Sequence, residues 1–415
     1  MPPPPRLNSG PTLPTAGSVK FTALESWRGL CALGVAMLHF SGANHFQSFP
    51  PIINAGRGVD FFFVLSGFVM AHAYGERLRN RSAAAGFLIR RLGRLYPLHL
   101  ATLVGLVAIE TAKLVMVSKL GVDAGAAPFS GETSWDALAA NLVLLNGVGI
   151  IDHYSWNIPS WSISTEFWAY VLFLLVCLCR RRAYRFAAVG LAVLSGLALL
   201  WNEVASLHIH IYQGIGLLRC LCGFFLGTCV QGLYARIPQR AVGGLASGLE
   251  AASLGLAALV FWDGLPWPSV TTPLAFGFVV LAFAFDGGVV SRILAAPGLL
   301  RLGVISYSIY LVHFPILSVL NGICRVVQGK LHIHLYVPTQ RPGGEGDLLL
   351  SFGNPWITDA AEIAYVAFVV AMATLTYRWI EDPARRYFNR IAASRWERER
   401  PEPIDQVPGA VAPTE

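Results

Sequence analysis

Ser26-Trp-Arg-Gly-Leu-Cys-Ala-Leu-Gly-Val-Ala-Met-Leu-His-Phe40 is an apolar run interrupted by one arginine and, eleven residues later, one histidine. At ~100° per residue, eleven steps make about three full turns of helix. Arg28 and His39 therefore share a face, roughly 16 Å apart along the axis. Both are costly in lipid, so a membrane helix carrying them must turn that face toward protein or water. The run reads as the first of several membrane helices and as part of a functional site.

Composition extends the reading to the whole chain. Of 415 residues, 54% are hydrophobic and 13% charged, about half the charged share of an ordinary soluble domain. Apolar stretches of spanning length recur from end to end, at about 24–43, 59–75, 95–117, 161–179, 184–201, 211–231, 245–262, 271–287, 302–321 and 358–378. Arginines crowd the connections: Arg77, Arg79, Arg81, Arg90, Arg91 and Arg94 in the second, then Arg180, Arg181, Arg182 and Arg185, then Arg236 and Arg240, then Arg292 and Arg301. Arg378, Arg385, Arg386 and Arg390 follow the last span. The positive-inside rule makes all of these cytoplasmic. They alternate correctly only if one further apolar stretch, Leu138–Ile151 of about 14 residues, re-enters or lies at the interface instead of crossing.

The expected fold is an all-α polytopic membrane protein with about ten transmembrane helices, both termini cytoplasmic, in the cell membrane. Residues 1–20 form a Pro-rich leader expected to be disordered, with the first helix as an uncleaved anchor. Residues 21–388 form the membrane domain, and 389–415 a Pro- and Arg/Glu-rich tail expected to be disordered. The net charge of +7 sits in runs that set topology, which argues against nucleic acid as a partner. Seven cysteines lie in or beside apolar segments, and their two C-x-C spacings match no zinc pattern. They read as small buried hydrophobes, with no metal site.

Four segments carry possible chemistry. A neutral His39 can act as a general base toward an alcohol, or it can be a core histidine bonding a nearby carbonyl. In Asn157-Ile-Pro-Ser-Trp-Ser-Ile-Ser-Thr-Glu-Phe-Trp-Ala-Tyr170, Glu166 lies about five residues inside the fourth span. There it can orient and charge-stabilise a histidine or take a proton itself, while the neighbouring hydroxyls can simply bond backbone carbonyls. In Phe87-Leu-Ile-Arg-Arg-Leu-Gly-Arg-Leu-Tyr-Pro97, Arg91 and Arg94 share a helical face and suit phosphates. Plain topology charges or lipid head-group contacts are the alternative. In Leu302-Gly-Val-Ile-Ser-Tyr-Ser-Ile-Tyr-Leu-Val-His-Phe-Pro-Ile316, Ser306, Tyr310 and His313 form a polar stripe that can line a substrate cavity or bond neighbouring helices.

Together these segments resemble the acyltransferase 3 family of integral membrane O-acyltransferases. Arg28 and His39 match its Arg–ten residues–His signature, and Gly58-Val-Asp-Phe-Phe-Phe-Val-Leu-Ser-Gly-Phe-Val69 is similar to its second-span motif. Arg91-Leu-Gly-Arg94 matches its Arg-x-x-Arg, and Pro159-Ser-Trp-Ser-Ile-Ser-Thr-Glu166 its Trp-Ser…Glu element. Ile305–His313 and Trp379-Ile-Glu-Asp-Pro-Ala-Arg385 resemble its closing motifs. The resemblance covers about 24–388. Gly147–Tyr154 matches none of the family's motifs, and no extracytoplasmic hydrolase-like domain of the kind some members carry is expected after 388.

The resemblance implies transfer of an acyl group, usually acetyl, from cytoplasmic acyl-CoA to a hydroxyl of a sugar or lipid-linked glycan at the outer face. His39 would be the general base, supported by a Glu166 at similar depth. Arg28, Arg91 and Arg94 would hold the donor, and Trp161, Ser306, Tyr310 and His313 would contact substrate. No cofactor would be permanently bound; acyl-CoA, a carbohydrate or glycolipid acceptor and membrane lipids would be the partners. A transporter exporting a glycan or small solute, or a non-catalytic scaffold, would also explain many spans and buried polar groups. Only the enzyme requires acyl-CoA.

Overall fold

The computed structural model describes residues 21–75, 78, 81–120, 126–178, 181–206, 214–338 and 348–397. The leader 1–20, Arg77, Arg79, Arg180, Cys179 and the tail beyond 397 lie outside the described residues. Each of the ten apolar segments coincides with a helix: α1 (Thr22–Phe40), α2 (Gly58–Tyr74), α3 (Arg81–Leu120), α4 (Ser160–Cys177), α5 (Arg181–Val204), α6 (Ile215–Tyr234), α7 (Ala246–Phe261), α8 (Pro268–Phe283), α9 (Ser306–Leu331) and α10 (Pro355–Thr376). Among the described residues, α3, α4, α5, α6, α9 and α10 are long and apolar enough to cross a membrane, and α7 and α8 are shorter apolar helices. The only strands among the described residues are Tyr336–Pro338 and Leu348–Leu350, paired antiparallel. The protein is an all-α polytopic membrane protein.

Two helices run further than the sequence suggests. α3 begins well before residue 95 and carries Arg90, Arg91 and Arg94 within its own length. Beyond α10, five residues of π-helix (Tyr377–Glu381) lead into α11 (Asp382–Glu397), so helix continues past the boundary drawn at 388. Phe388 of α11 lies so close to Gly93 of α3 that a Cβ there would stand 2.2 Å from the phenylalanine Cβ. That contact fixes α11 beside the arginines of α3.

The segment Leu138–Ile151 forms no membrane-length helix. Trp135–Leu142 is a helix of eight residues, followed by turns as far as α4. Irregular backbone of this kind is tolerated inside an apolar body only where protein satisfies it. Buried polar side chains do so here. Ser164 Oγ accepts from the Gly147 N–H at 3.1 Å, and the Leu144 carbonyl accepts from Ser164 Oγ at 2.7 Å and from Trp168 Nε1 at 2.9 Å.

α2 lies directly against α6 because small residues remove the side chains that would separate them. A Cβ at Gly67 would stand 1.7 Å from the Phe224 carbonyl oxygen, and one at Gly227 would stand 1.9 Å from that of Val64. The other side of α2 is keyed to α1. Phe21 meets Phe68 with ring centroids 5.1 Å apart, Trp27 meets Phe61 at 6.0 Å, and a Cβ on Gly58 would lie 3.2 Å from that of Cys31. The two helices are thus antiparallel, with α2 starting level with Cys31 and Ser66 falling level with Ala23. This register sets the depth of the site.

Candidate active site

A cavity of about 270 Å³ opens among α1, α2, α3, α4 and α9. Arg28, Arg91, Arg94, Glu166, Ser306 and Tyr310 all line it, which brings together six of the nine residues singled out in the sequence. The rest of its wall is largely apolar, including Leu24, Phe62, Val69 and Leu95.

Three guanidinium groups face two carboxylates in this space. Arg28 donates from Nη1 to Glu25 Oε1 at 2.9 Å. The Arg91 guanidinium sits among the rings of Tyr74, Phe87 and Tyr170, with centroid distances of 5.6, 5.9 and 5.8 Å, and its buried Nε–H has no partner. Such a cage holds a cation by the ring quadrupoles. Arg94 is within electrostatic reach of Glu381, Glu25 and Glu166. Glu166 Oε1 accepts from Ser66 Oγ at 2.6 Å and from Tyr170 OH at 2.5 Å. The excess of positive charge and the unpartnered Nε–H suit an anionic ligand.

Glu166 does not support His39. Its partner Ser66 is level with Ala23, and from Ala23 to His39 the helix climbs sixteen residues, about 24 Å. Glu166 therefore belongs to the arginine cavity at the Arg28 end of α1. Counting residues from a helix start does not give this placement, which comes from the bond of Glu166 to Ser66.

His39 pairs instead with His313. Their ring centroids are 5.0 Å apart. His39 Nδ1 lies 2.8 Å from the Val35 carbonyl, and His313 Nδ1 lies 3.2 Å from that of Ile309. A carbonyl can only accept, so in each neutral ring Nδ1 carries the proton and Nε2 keeps a lone pair. His313 Nε2 is buried without a partner, while the His39 side chain is only partly buried. Trp161 does not line the cavity. It is buried against Phe63 and beneath the guanidinium of Arg219, 5.8 Å from its ring.

That arginine is a residue the sequence reading missed. Arg219 Nε and Nη2 donate to the two oxygens of Asp60 at 2.9 and 2.6 Å, a bidentate pair of a buried carboxylate and a part-buried guanidinium that joins α6 to α2. The signal was present as two charges of opposite sign inside apolar runs, which is where intramembrane partners are to be sought. Ser66 and Tyr170 were also missed. Nothing in a lone serine or tyrosine in an apolar helix marks it as a partner of Glu166.

A family model described as an acyltransferase domain matches residues 21–379. The chain belongs to this family. It is a multi-pass membrane O-acyltransferase. Over 277 residues it is 32% identical to the exopolysaccharide production protein ExoZ of Rhizobium meliloti, covering 63% of this chain and 76% of that protein. Over 160 residues it is 32% identical to protein 2 in the picA locus of Rhizobium radiobacter, covering 35% of this chain and 77% of that one. A Staphylococcus aureus protein named as a candidate O-acetyltransferase is 23% identical over 404 residues, which span 90% of this chain and 58% of the relative. No solved structure matches.

Removing one member of a buried ion pair leaves the other charge uncompensated, at a cost of about 3–5 kcal/mol. Asp60→Asn should therefore lower the thermal midpoint of the purified protein sharply. Adding Arg219→Gln should restore part of that loss, because the orphaned charge is then gone. Additive losses in thermal melts would show that the pair is not coupled.

Proposed function

We propose that this O-acyltransferase moves an acyl group, acetyl in the simplest case, from cytoplasmic acyl-CoA to a hydroxyl of a cell-surface or secreted carbohydrate, with His39 as general base. The observation that carries the reading is a two-part arrangement along one axis. A positively charged cavity lies at the Arg28 end of α1, and the His39–His313 pair lies at the other end. Tyr310 connects them: it lines the cavity, and its ring centroid is 6.0 Å from that of His313.

In this reading the donor's phosphates meet Arg28, Arg91 and Arg94, and its thioester arm runs along the apolar wall toward Tyr310. The acceptor hydroxyl approaches His39 from the opposite face. The Nε2 lone pair takes its proton as the oxygen attacks the thioester carbonyl carbon, and the proton then passes to the departing CoA thiolate. The name of the Rhizobium meliloti relative supports a polysaccharide acceptor. The protein sits in the cell membrane with ten crossings and both ends cytoplasmic, so the donor cavity opens inward and the histidines lie in the outer half.

His39→Ala should abolish transfer from acetyl-CoA while the protein inserts and accumulates normally. Loss of a general base costs roughly 10²–10⁴-fold in rate, whereas one half-buried imidazole does not hold a helical bundle together. Wild-type turnover in this variant would remove His39 from the mechanism.

Glutamine at Arg91 or Arg94 should instead raise the KM for acyl-CoA. A charge-assisted hydrogen bond contributes roughly 1.5–3 kcal/mol, so each change should cost about tenfold or more, and lysine should rescue only in part. Full donor affinity with glutamine at both positions would reduce these side chains to topology signals.

The sidedness is checked by single cysteines in a cysteine-free background. An impermeant thiol reagent should label Ser130→Cys and Leu348→Cys in intact cells, and Gly298→Cys and Ser394→Cys only after lysis. Labelling of Ser394→Cys in intact cells would place α11 outside and separate the arginine cavity from cytoplasmic donor.

A further inference from the structure

The donor cavity and the histidine pair meet at one side chain. Tyr310 lines the cavity and neighbours His313, whereas neither His39 nor His313 lines the cavity. The Tyr310 hydroxyl lies 2.9 Å from Ser162 Oγ and donates to the Pro159 carbonyl at 3.1 Å. Phe62 stacks edge-on against its ring at 5.9 Å. A thioester rising from the arginines must displace or pass this ring before it can reach His39.

Arg219 lies one layer behind, over the ring of Trp161, the residue before Ser162. Arg219 is within electrostatic reach of Tyr310. Its guanidinium is held by both oxygens of Asp60, so it is fixed in place. Tyr310 presents an O–H at the junction of donor cavity and base, in a wall that also carries Ser162 and Glu166.

We propose that Tyr310 is a catalytic residue: its hydroxyl leaves Ser162 and Pro159 and donates to the thioester carbonyl oxygen as negative charge develops there. The inference rests on the acyl-transfer reading above. As the acceptor oxygen bonds to the carbonyl carbon, its proton goes to His39 Nε2 and the C=O π pair moves onto oxygen, where Tyr310 meets it. Collapse re-forms the C=O bond and breaks C–S, and the thiolate leaves with the proton from His39. A donor placed where charge appears, in a site with little water, acts selectively on the transition state.

The test uses purified full-length protein in lipid nanodiscs, radiolabelled acetyl-CoA as donor, and surface polysaccharide from the expressing cells, stripped of acyl groups by mild alkali, as acceptor. Tyr310→Phe keeps the ring and should lower turnover at saturation by about 10²–10³-fold, with the KM for acetyl-CoA within twofold of wild type. Ser162→Ala removes a resting partner of the hydroxyl but keeps the hydroxyl itself, and should lower turnover far less than Tyr310→Phe. Equal loss in both variants would make Tyr310 a brace between α9 and α4, and would overturn the proposal. So would a raised KM at unchanged turnover, or full activity of Tyr310→Phe. Wild-type protein that binds acetyl-CoA yet transfers nothing overturns the functional reading itself, whereas wild-type transfer with an active Tyr310→Phe overturns this inference alone.

Discussion

Charge inside an apolar body must be compensated where it stands, and that constraint organises this structure. An ionised side chain cannot borrow water in the middle of a helical membrane bundle, so its partners come from neighbouring helices. Asp60 of α2 closes on Arg219 of α6, Arg28 on Glu25 within α1, and Arg91 on the faces of three aromatic rings. Glu166 is satisfied by hydroxyls of α2 and of its own helix. All of these but the Arg28–Glu25 pair tie two or more segments in a defined register. The polar groups of the site are thus also the pins of the bundle.

The compensation is incomplete in two places, and both matter chemically. Three arginines outnumber the two carboxylates on the cavity wall, and one buried guanidinium N–H is left without an acceptor. At the other end, two imidazoles face one another with both Nδ1 protons committed to backbone carbonyls one turn back. That commitment decides the tautomer, and with it the atom free to take a proton. The structure thus carries a surplus of donors at one end and of lone pairs at the other.

All ten helical segments were legible in the sequence, because hydropathy over about 20 residues reports burial in lipid directly. So were the short irregular segment before α4, and six residues that share one cavity. Offsets between helices were not. Periodicity gives the spacing of Arg28 and His39 within α1 reliably, since both ride on one rigid rod. It says nothing about where α2 or α4 starts relative to that rod. The chain from Ser41 to Arg57 folds back along α1, placing Ala55 beside Gly34 and Gly58 beside Cys31, and this lowers Ser66, and Glu166 with it, to the Arg28 end. Pairing of Glu166 with His39 was inferred from counting, and the re-entrant connection is what counting cannot see.

The revised depth of Glu166 changes what the carboxylate can do. Its carboxylate bonds Ser66 and Tyr170 rather than His39, and it stands among the side chains that would meet phosphates. Its two short hydrogen bonds from Ser66 and Tyr170 hold it on its own side of the cavity. Tyr170 also forms one face of the Arg91 cage, so the position of Glu166 and that of Arg91 are set by the same ring. The local geometry thus ties Glu166 to the wall of the arginine cavity, while the two histidines face one another elsewhere along α1.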